Sequence, residues 1–169
     1  MRVGILTQWY EPEPGPAALP AALARGLARQ GHDVTVMTGF PNYPSGDLAP
    51  GWRQRWGHTE DRDGVRVLRS PLYPYHGRSV NGRVLNYASF AASATWTVLR
   101  HGRDLDVLWV NYSPISLLLP MAVSRLVHRT PMVCEVADLW PDVLLETLPI
   151  RPRAVRAAVE AVAVSYTHL

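Results

Sequence analysis

Short apolar runs alternate along this chain with longer segments whose apolar residues recur at helical spacing. The first run covers residues 2–7 and turns polar at Gln8. Leu19, Leu23 and Leu27 then fall at i, i+4 intervals and predict a helix with one apolar face, Arg25 and Arg29 pointing elsewhere. Pro16 suits the first turn of that helix, Pro20 must also lie in its first turn or mark a late start, and Gly31 is placed to end it. Val34-Thr35-Val36-Met37 reads as a second buried strand. Residues 39–64 read as one long irregular loop rich in Gly, Pro, Tyr and Trp, and a loop of that length in a compact domain is usually functional.

The alternation continues beyond the loop. Asp63-Gly64 is a turn signal before a third strand at residues 65–68. A largely buried helix is predicted over 81–100, and strands over 106–110 and 132–136. Between those two strands, Asn111 to Pro114 forms a turn, with Ser113 placed to cap the helix that begins near Pro114. Short helices are predicted at 141–147 and 152–164. Strands alternating with helices in this way predict an α/β fold: a doubly wound, mostly parallel, Rossmann-like sheet of strand order 3-2-1-4-5, with helices on both faces.

Composition narrows the class without changing the fold. With 169 residues, 47% hydrophobic and 18% charged, the chain has the make-up of one globular domain with a sizeable core. The net charge of +3 comes from scattered arginines near predicted helix ends, and no dense basic run points to nucleic acid. A single cysteine, Cys134, rules out an internal disulfide, and its apolar strand context predicts a buried residue. The first residues do not read as a secretory signal, and the longest uncharged stretch, 107–124, is broken by Asn111, Ser113, Pro114 and Pro120. The expectation is a cytoplasmic protein, soluble or peripheral to the membrane.

In a doubly wound sheet, ligands bind beyond the carboxyl ends of the strands. Three loops leave those ends: residues 8–15, 111–114 and 137–142. The first lacks the Gly-x-Gly-x-x-Gly fingerprint, which excludes a nicotinamide-dependent enzyme of that type. Gly15 reads either as a close-approach glycine for a ligand phosphate at the helix start, with Pro16 beside it, or as a plain turn glycine. Asp138 sits where a carboxylate can accept hydrogen bonds from sugar hydroxyls or act as a base, whereas Asp142 reads as a first-turn helix residue. Trp140 offers either a platform for a sugar ring or a piece of core. Asn42 and Tyr43, in the loop after the second strand, either shape an acceptor pocket or pin the loop down. The histidines show no metal-ligand spacing, and those outside the Gly31-His32 turn read as surface or loop; no metal site, Ser-His-Asp set or Cys-His set can be argued.

Several stretches carry a family resemblance: Glu13-Pro14-Gly15 with Gly31-His32-Asp33-Val34-Thr35-Val36; Thr38-Gly39-Phe40-Pro41-Asn42-Tyr43-Pro44; Asp63-Gly64-Val65-Arg66-Val67; and Glu135-Val136-Ala137-Asp138-Leu139-Trp140-Pro141, supported by Leu85-Asn86-Tyr87-Ala88-Ser89-Phe90. Together they span nearly the whole chain in order. The sequence resembles the N-terminal domain of family-4 bacterial glycosyltransferases of the GT-B fold, in particular those of O-antigen, capsule and colanic-acid assembly, including the L-fucosamine transferase type. The resemblance implies a retaining transfer from a nucleotide sugar to a lipid-linked or saccharide acceptor in surface polysaccharide synthesis. It implies no bound metal and no cofactor, the nucleotide sugar being a substrate held mainly by a C-terminal domain. It places Gly15 and Pro16 near the donor phosphates and Asp138 at the cleft near the reacting sugar. Trp9, Asn42, Tyr43, Asn111, Ser113 and Trp140 are the residues expected on the acceptor side, and peripheral contact with the inner face of the plasma membrane goes with a lipid-linked acceptor.

The sequence departs from that family at Ala137, where relatives usually carry a charged residue, and at Leu19-Pro20, where they tend to have an arginine. Nothing matches the glutamate-containing donor domain. Residues 164–169 do not continue the preceding helix as relatives do and look like translated adaptor sequence. The expectation is therefore one domain over residues 1–163, a non-native tail, and a fragment that is inactive alone. The competing reading is a stand-alone doubly wound module that binds a sugar or phosphate without catalysis.

Overall fold

The computed structural model describes residues 1–111 and 114–135. Six strands form one sheet: β1 (Arg2–Leu6), β2 (Asp33–Gly39), β3 (His58–Arg62), β4 (Val65–Ser70), β5 (Val107–Asn111) and β6 (Met132–Glu135). Their spatial order is β3-β4-β2-β1-β5-β6. All neighbours run parallel except β3, which pairs antiparallel with β4. The five strands read from the sequence thus take the order 3-2-1-4-5.

The sixth strand corrects the reading of 39–64 as a continuous loop. Residues 58–62 turn back along β4 through a two-residue turn in which Asp63 (φ 54°) and Gly64 (φ 77°) both adopt left-handed backbone. That geometry matches the twist of paired strands. The Asp61 carboxylate accepts from the Gly64 N–H at 3.2 Å. The burial of β3 alternates between half-buried and exposed, so it lacks the continuous apolar run that marks the inner strands.

Among the described residues three α-helices flank the sheet: α1 (Ala18–Arg29), α2 (Val80–His101) and α3 (Leu118–Val123). A 3₁₀ turn, Gly15–Ala17, leads into α1, with Pro16 in its first positions. At the other end the Gly31 N–H donates to the Ala28 carbonyl and the His32 N–H to the Leu27 carbonyl, which satisfies carbonyls left over at the helix terminus. α1 covers one sheet face: Ala21 and Ala24 meet Ile5, Val34, Val36, Val65 and Val67, with Leu23, Leu27 and Ala28 packed around them. The predicted leucine stripe holds at Leu23 and Leu27 and is corrected at Leu19. The face turns toward the small residues Pro20, Ala21 and Ala24, which let the helix approach the sheet closely, and Leu19 is left exposed.

α2 lies on the opposite face, its start capped by the Ser79 hydroxyl, which accepts from the Gly82 N–H. Its buried side, Asn86, Phe90, Ala91, Ser93, Ala94 and Val98, is interleaved with exposed Val84, Leu85, Trp96 and Leu99. The helix is therefore half-buried along its length and not largely buried as its composition predicts. After α3 a π-helical turn, Ser124–His128, leads to Arg129 in left-handed backbone (φ 57°). Cys134 is a further correction. It is exposed, as is its neighbour Val133, in β6, which is the edge strand among the described residues.

Candidate functional site

The two loops at the carboxyl ends of β1 and β2 are tied together by one carboxylate. Glu13 is buried, and its Oε1 accepts from the backbone N–H groups of Asn42 and Tyr43, each at 2.8 Å. Its Oε2 accepts from the Tyr10 N–H at 3.2 Å. Burial pushes its pKa up, against the pull of these three hydrogen bonds and of Arg69. The β1 loop is also stitched to β2 by backbone. The Gln8 carbonyl accepts from the Gly39 N–H at 3.2 Å and from the Thr38 hydroxyl at 3.2 Å. Tyr10, buried beside these groups, has its phenol pKa raised to about 12, first by burial and then by the Glu11 carboxylate.

Trp9, Gly15, Asn42 and Tyr43 are brought together by this arrangement. The Trp9 and Tyr43 rings meet edge-on with centroids 6.4 Å apart, and Tyr43 in turn meets His76 at 4.8 Å. A side chain on Gly15 would lie 3.7 Å from the Tyr43 ring. Trp9 and Asn42 are buried, the Asn42 amide donating to the Phe40 carbonyl at 2.9 Å, while Tyr43 is half-buried. Gly15 takes φ 68°, and Pro14, Gly15 and Pro16 are all exposed. No side chain caps this helical start, and no acidic residue stands in its first turn. Its N–H groups therefore present uncompensated positive charge to solvent, the arrangement that suits an anion. Asn111, the last residue of β5, is buried at the corresponding strand end. Ser113, Asp138 and Trp140 lie outside the described residues.

Two further polar clusters escaped the sequence reading. Arg69 is fully buried. Its guanidinium donates to Glu60 Oε1 through Nε (2.9 Å) and Nη2 (2.7 Å), to the Gly39 carbonyl (3.0 Å) and to the Glu11 carbonyl, and it lies 4.8 Å from the Trp52 ring centre. It thereby braces both site loops from beneath. Burial alone would raise the Glu60 pKa, but Arg62 and Arg69 together hold it below its ordinary value. The Gln8 side-chain amide donates to Asn86 Oδ1 at 2.7 Å, and Asn86 Nδ2 donates to the Tyr73 carbonyl at 2.6 Å, linking the β1 loop to α2. The signal for Arg69 was an arginine among apolar strand residues; its partner was hidden because β3 itself was unseen. His58 corrects the reading of the histidines as surface or loop: it is half-buried within β3, its ring 5.4 Å from Phe40.

Among the described residues no group of three or more His, Cys, Asp or Glu side chains is placed to hold a metal ion. No described helix is long and apolar enough to cross a membrane.

A mostly parallel sheet of this order, with loops converging at its carboxyl edge, defines an α/β domain similar to one half of a GT-B glycosyltransferase. Structural comparison agrees: the chain aligns with sucrose-phosphate synthase from Thermosynechococcus elongatus with a TM-score of 0.58 at 14% identity, over 95% of this chain and 39% of that one. The chain belongs to the glycosyl transferase 4-like domain family, whose profile matches residues 15–169. It is 30% identical over 138 residues to the putative colanic acid biosynthesis glycosyl transferase WcaI of Escherichia coli (strain K12), a match covering 80% of this chain and 34% of that protein. The chain thus spans about a third of the length of that relative.

Proposed function

We propose that residues 1–163 form the acceptor-side half of a retaining, metal-independent glycosyltransferase. In this reading it moves a sugar from a nucleotide-sugar donor to a lipid-linked or saccharide acceptor during surface polysaccharide synthesis, at the cytoplasmic face of the plasma membrane. The observation that carries the reading is the exposed, uncapped start of the 3₁₀ turn at Gly15 that leads into α1, set against Tyr43 at the carboxyl edge of the sheet, in a chain of this family.

The chemistry follows from charge. Transfer breaks the bond between the anomeric carbon and a phosphate oxygen, so negative charge grows on the departing diphosphate. Backbone N–H groups at Gly15 and beyond, aligned with the α1 dipole, stabilise that charge without needing to reorganise. Pro16 fixes the turn that aims them. Trp9, Asn42, Tyr43, Asn111, Ser113 and Trp140 are the residues assigned to acceptor binding in this reading. Asp138 is assigned the catalytic place near the reacting sugar, as hydrogen-bond acceptor for the acceptor hydroxyl. The donor nucleotide is held mainly by a second, C-terminal domain, so these 169 residues alone are expected to be inactive.

The test is turnover of a nucleotide sugar by the chain joined to such a donor domain, with and without Asp138→Ala. Wild type is expected to turn over, and the variant to fall by about 100-fold or more with an unchanged circular dichroism spectrum. Equal turnover by both removes Asp138 from the site. Tight sugar binding by the 169 residues, with no turnover in any longer form, favours a binding module instead.

A further inference from the structure

Away from the loops at the carboxyl edge, a cavity of about 420 Å³ opens at the outer edge of the sheet, between β3–β4 and the last turns of α2. Its volume lies within the roughly 300–1,000 Å³ of small-molecule sites. It exists because α2 packs over β4, where the Ser70 and Thr97 hydroxyls meet at 2.7 Å, and leaves β3 beside it open.

The lining has a definite chemistry. Trp56 and Trp96 stand at it, 65% and 53% exposed, from two different segments of the chain. Exposed indoles are costly in water and are the side chains that best cover the apolar C–H face of a sugar ring. β3 is the terminal strand among the described residues, so alternate backbone N–H and C=O groups there have no described strand partner and are available to hydroxyls. The Arg55 N–H donates to His58 Nδ1 at 2.9 Å, which leaves Nε2 as the ring N–H.

Charge selects among saccharides. Among the described residues no carboxylate lines the cavity. Of its two arginines, Arg69 is held by Glu60, while Arg100 is exposed and makes no ion pair among the described residues. One uncompensated guanidinium beside two open indoles matches a ring that carries a carboxylate, which Arg can bind through two parallel hydrogen bonds.

We propose that this cavity is a second saccharide site, specific for an acidic sugar residue such as a uronic acid. It would hold a charged part of a glycan away from the reacting end, and it uses none of the residues assigned to transfer. Its failure is therefore separable from failure of the transferase reading, because binding here is read without turnover.

The experiment is calorimetric titration of the chain with a glucuronic-acid-containing oligosaccharide and with the same oligosaccharide reduced to the neutral sugar. The charged form is expected to bind more tightly by about fivefold or more. Trp96→Ala should weaken both by about tenfold, and Arg100→Gln should erase the preference for the charged form. Both side chains are exposed, so unchanged thermal unfolding is expected to certify the fold; Trp56→Ala serves if Trp96→Ala unfolds. Absence of binding to either saccharide, or binding unmoved by these variants, overturns the proposal. So does sedimentation with phosphatidylglycerol vesicles that depends on Trp96 and Arg100 when no saccharide binds, since that assigns the face to a membrane.

Discussion

Glu13 Oε1 sits 2.8 Å from the backbone nitrogen of Tyr43, and this contact fixes the loop after β2 against the loop after β1. A neighbouring bond of the same length to Asn42 and a longer one to Tyr10 complete the set. A flexible surface loop becomes a wall because one buried side chain replaces the water its amides have lost.

Removing that side chain should loosen both loops together. Glu13→Ala strands three N–H groups, and a cost of about 3 kcal/mol is expected from urea unfolding. Glu13→Gln keeps one acceptor oxygen and should cost about half as much. The pH dependence has a definite sign. Burial raises the folded pKa of Glu13 above its ordinary 4.5. The group's contribution to stability is thus fully present below pH 4.5 and is lost as pH rises through the folded pKa. The stability gap between wild type and Glu13→Gln should narrow along that rise.

The frame was legible in the sequence because buried parallel strands are short apolar runs between helical segments, and five of them sufficed to give the order. What the sequence concealed was held by polar partners at a distance. β3 shows no apolar run, since its residues His58-Thr59-Glu60-Asp61-Arg62 are stabilised by cross-strand pairing and by Arg69. Leu19 misled because the depth of α1 on the sheet is set by Pro20, Ala21 and Ala24, which a leucine count does not weigh. At the site, Gly15 and Tyr43 could be singled out by residue type. Glu13 ties the two loops together through bonds to residues about thirty positions away, and no local pattern marks those.

Arg69 should behave as a buried brace. Arg69→Met leaves Glu60 with Arg62 alone and deprives the Gly39 and Glu11 carbonyls of their donor, for an expected loss of about 3 kcal/mol. Arg69→Lys should rescue little, since an ammonium cannot span the three acceptors at once. The acid dependence is opposite to that of Glu13. The folded pKa of Glu60 lies below its ordinary value, so its contribution is present above pH 4.5 and is lost as pH falls through the folded pKa. Chemical denaturation of wild type and Glu60→Gln across pH 3–6 measures the difference.

Two glycines separate a site role from a packing role. Gly15 has φ 68° but ordinary contact distance to Tyr43, so Gly15→Ala should cost only the left-handed strain of about 1–2 kcal/mol. On the functional reading it should also weaken donor binding in the complete transferase. Gly46 combines φ 86° with a would-be Cβ only 2.4 Å from the His76 backbone nitrogen. Gly46→Ala must displace backbone and should cost about 3 kcal/mol or more. Thermal unfolding orders the two variants, and equal losses would refute the distinction.

Three histidines set the behaviour on mild acidification. Burial lowers the pKa of His58, with Arg55 adding to it; burial and Arg83 lower that of His76; burial, Arg66 and Arg100 lower that of His101. In each the unfolded chain takes up a proton before the folded one does. Stability present above pH 6.5 is therefore lost as pH falls through that value, and the loss levels off below the folded pKa values. His58 contributes most directly to the site loops, since its ring packs at 5.4 Å from Phe40 and 5.7 Å from Trp52. Replacing it by glutamine removes the titration while keeping a polar group. Urea midpoints at pH 7.5 and 5.5 should converge in His58→Gln relative to wild type, and an unchanged difference would assign the acid sensitivity to His76 and His101.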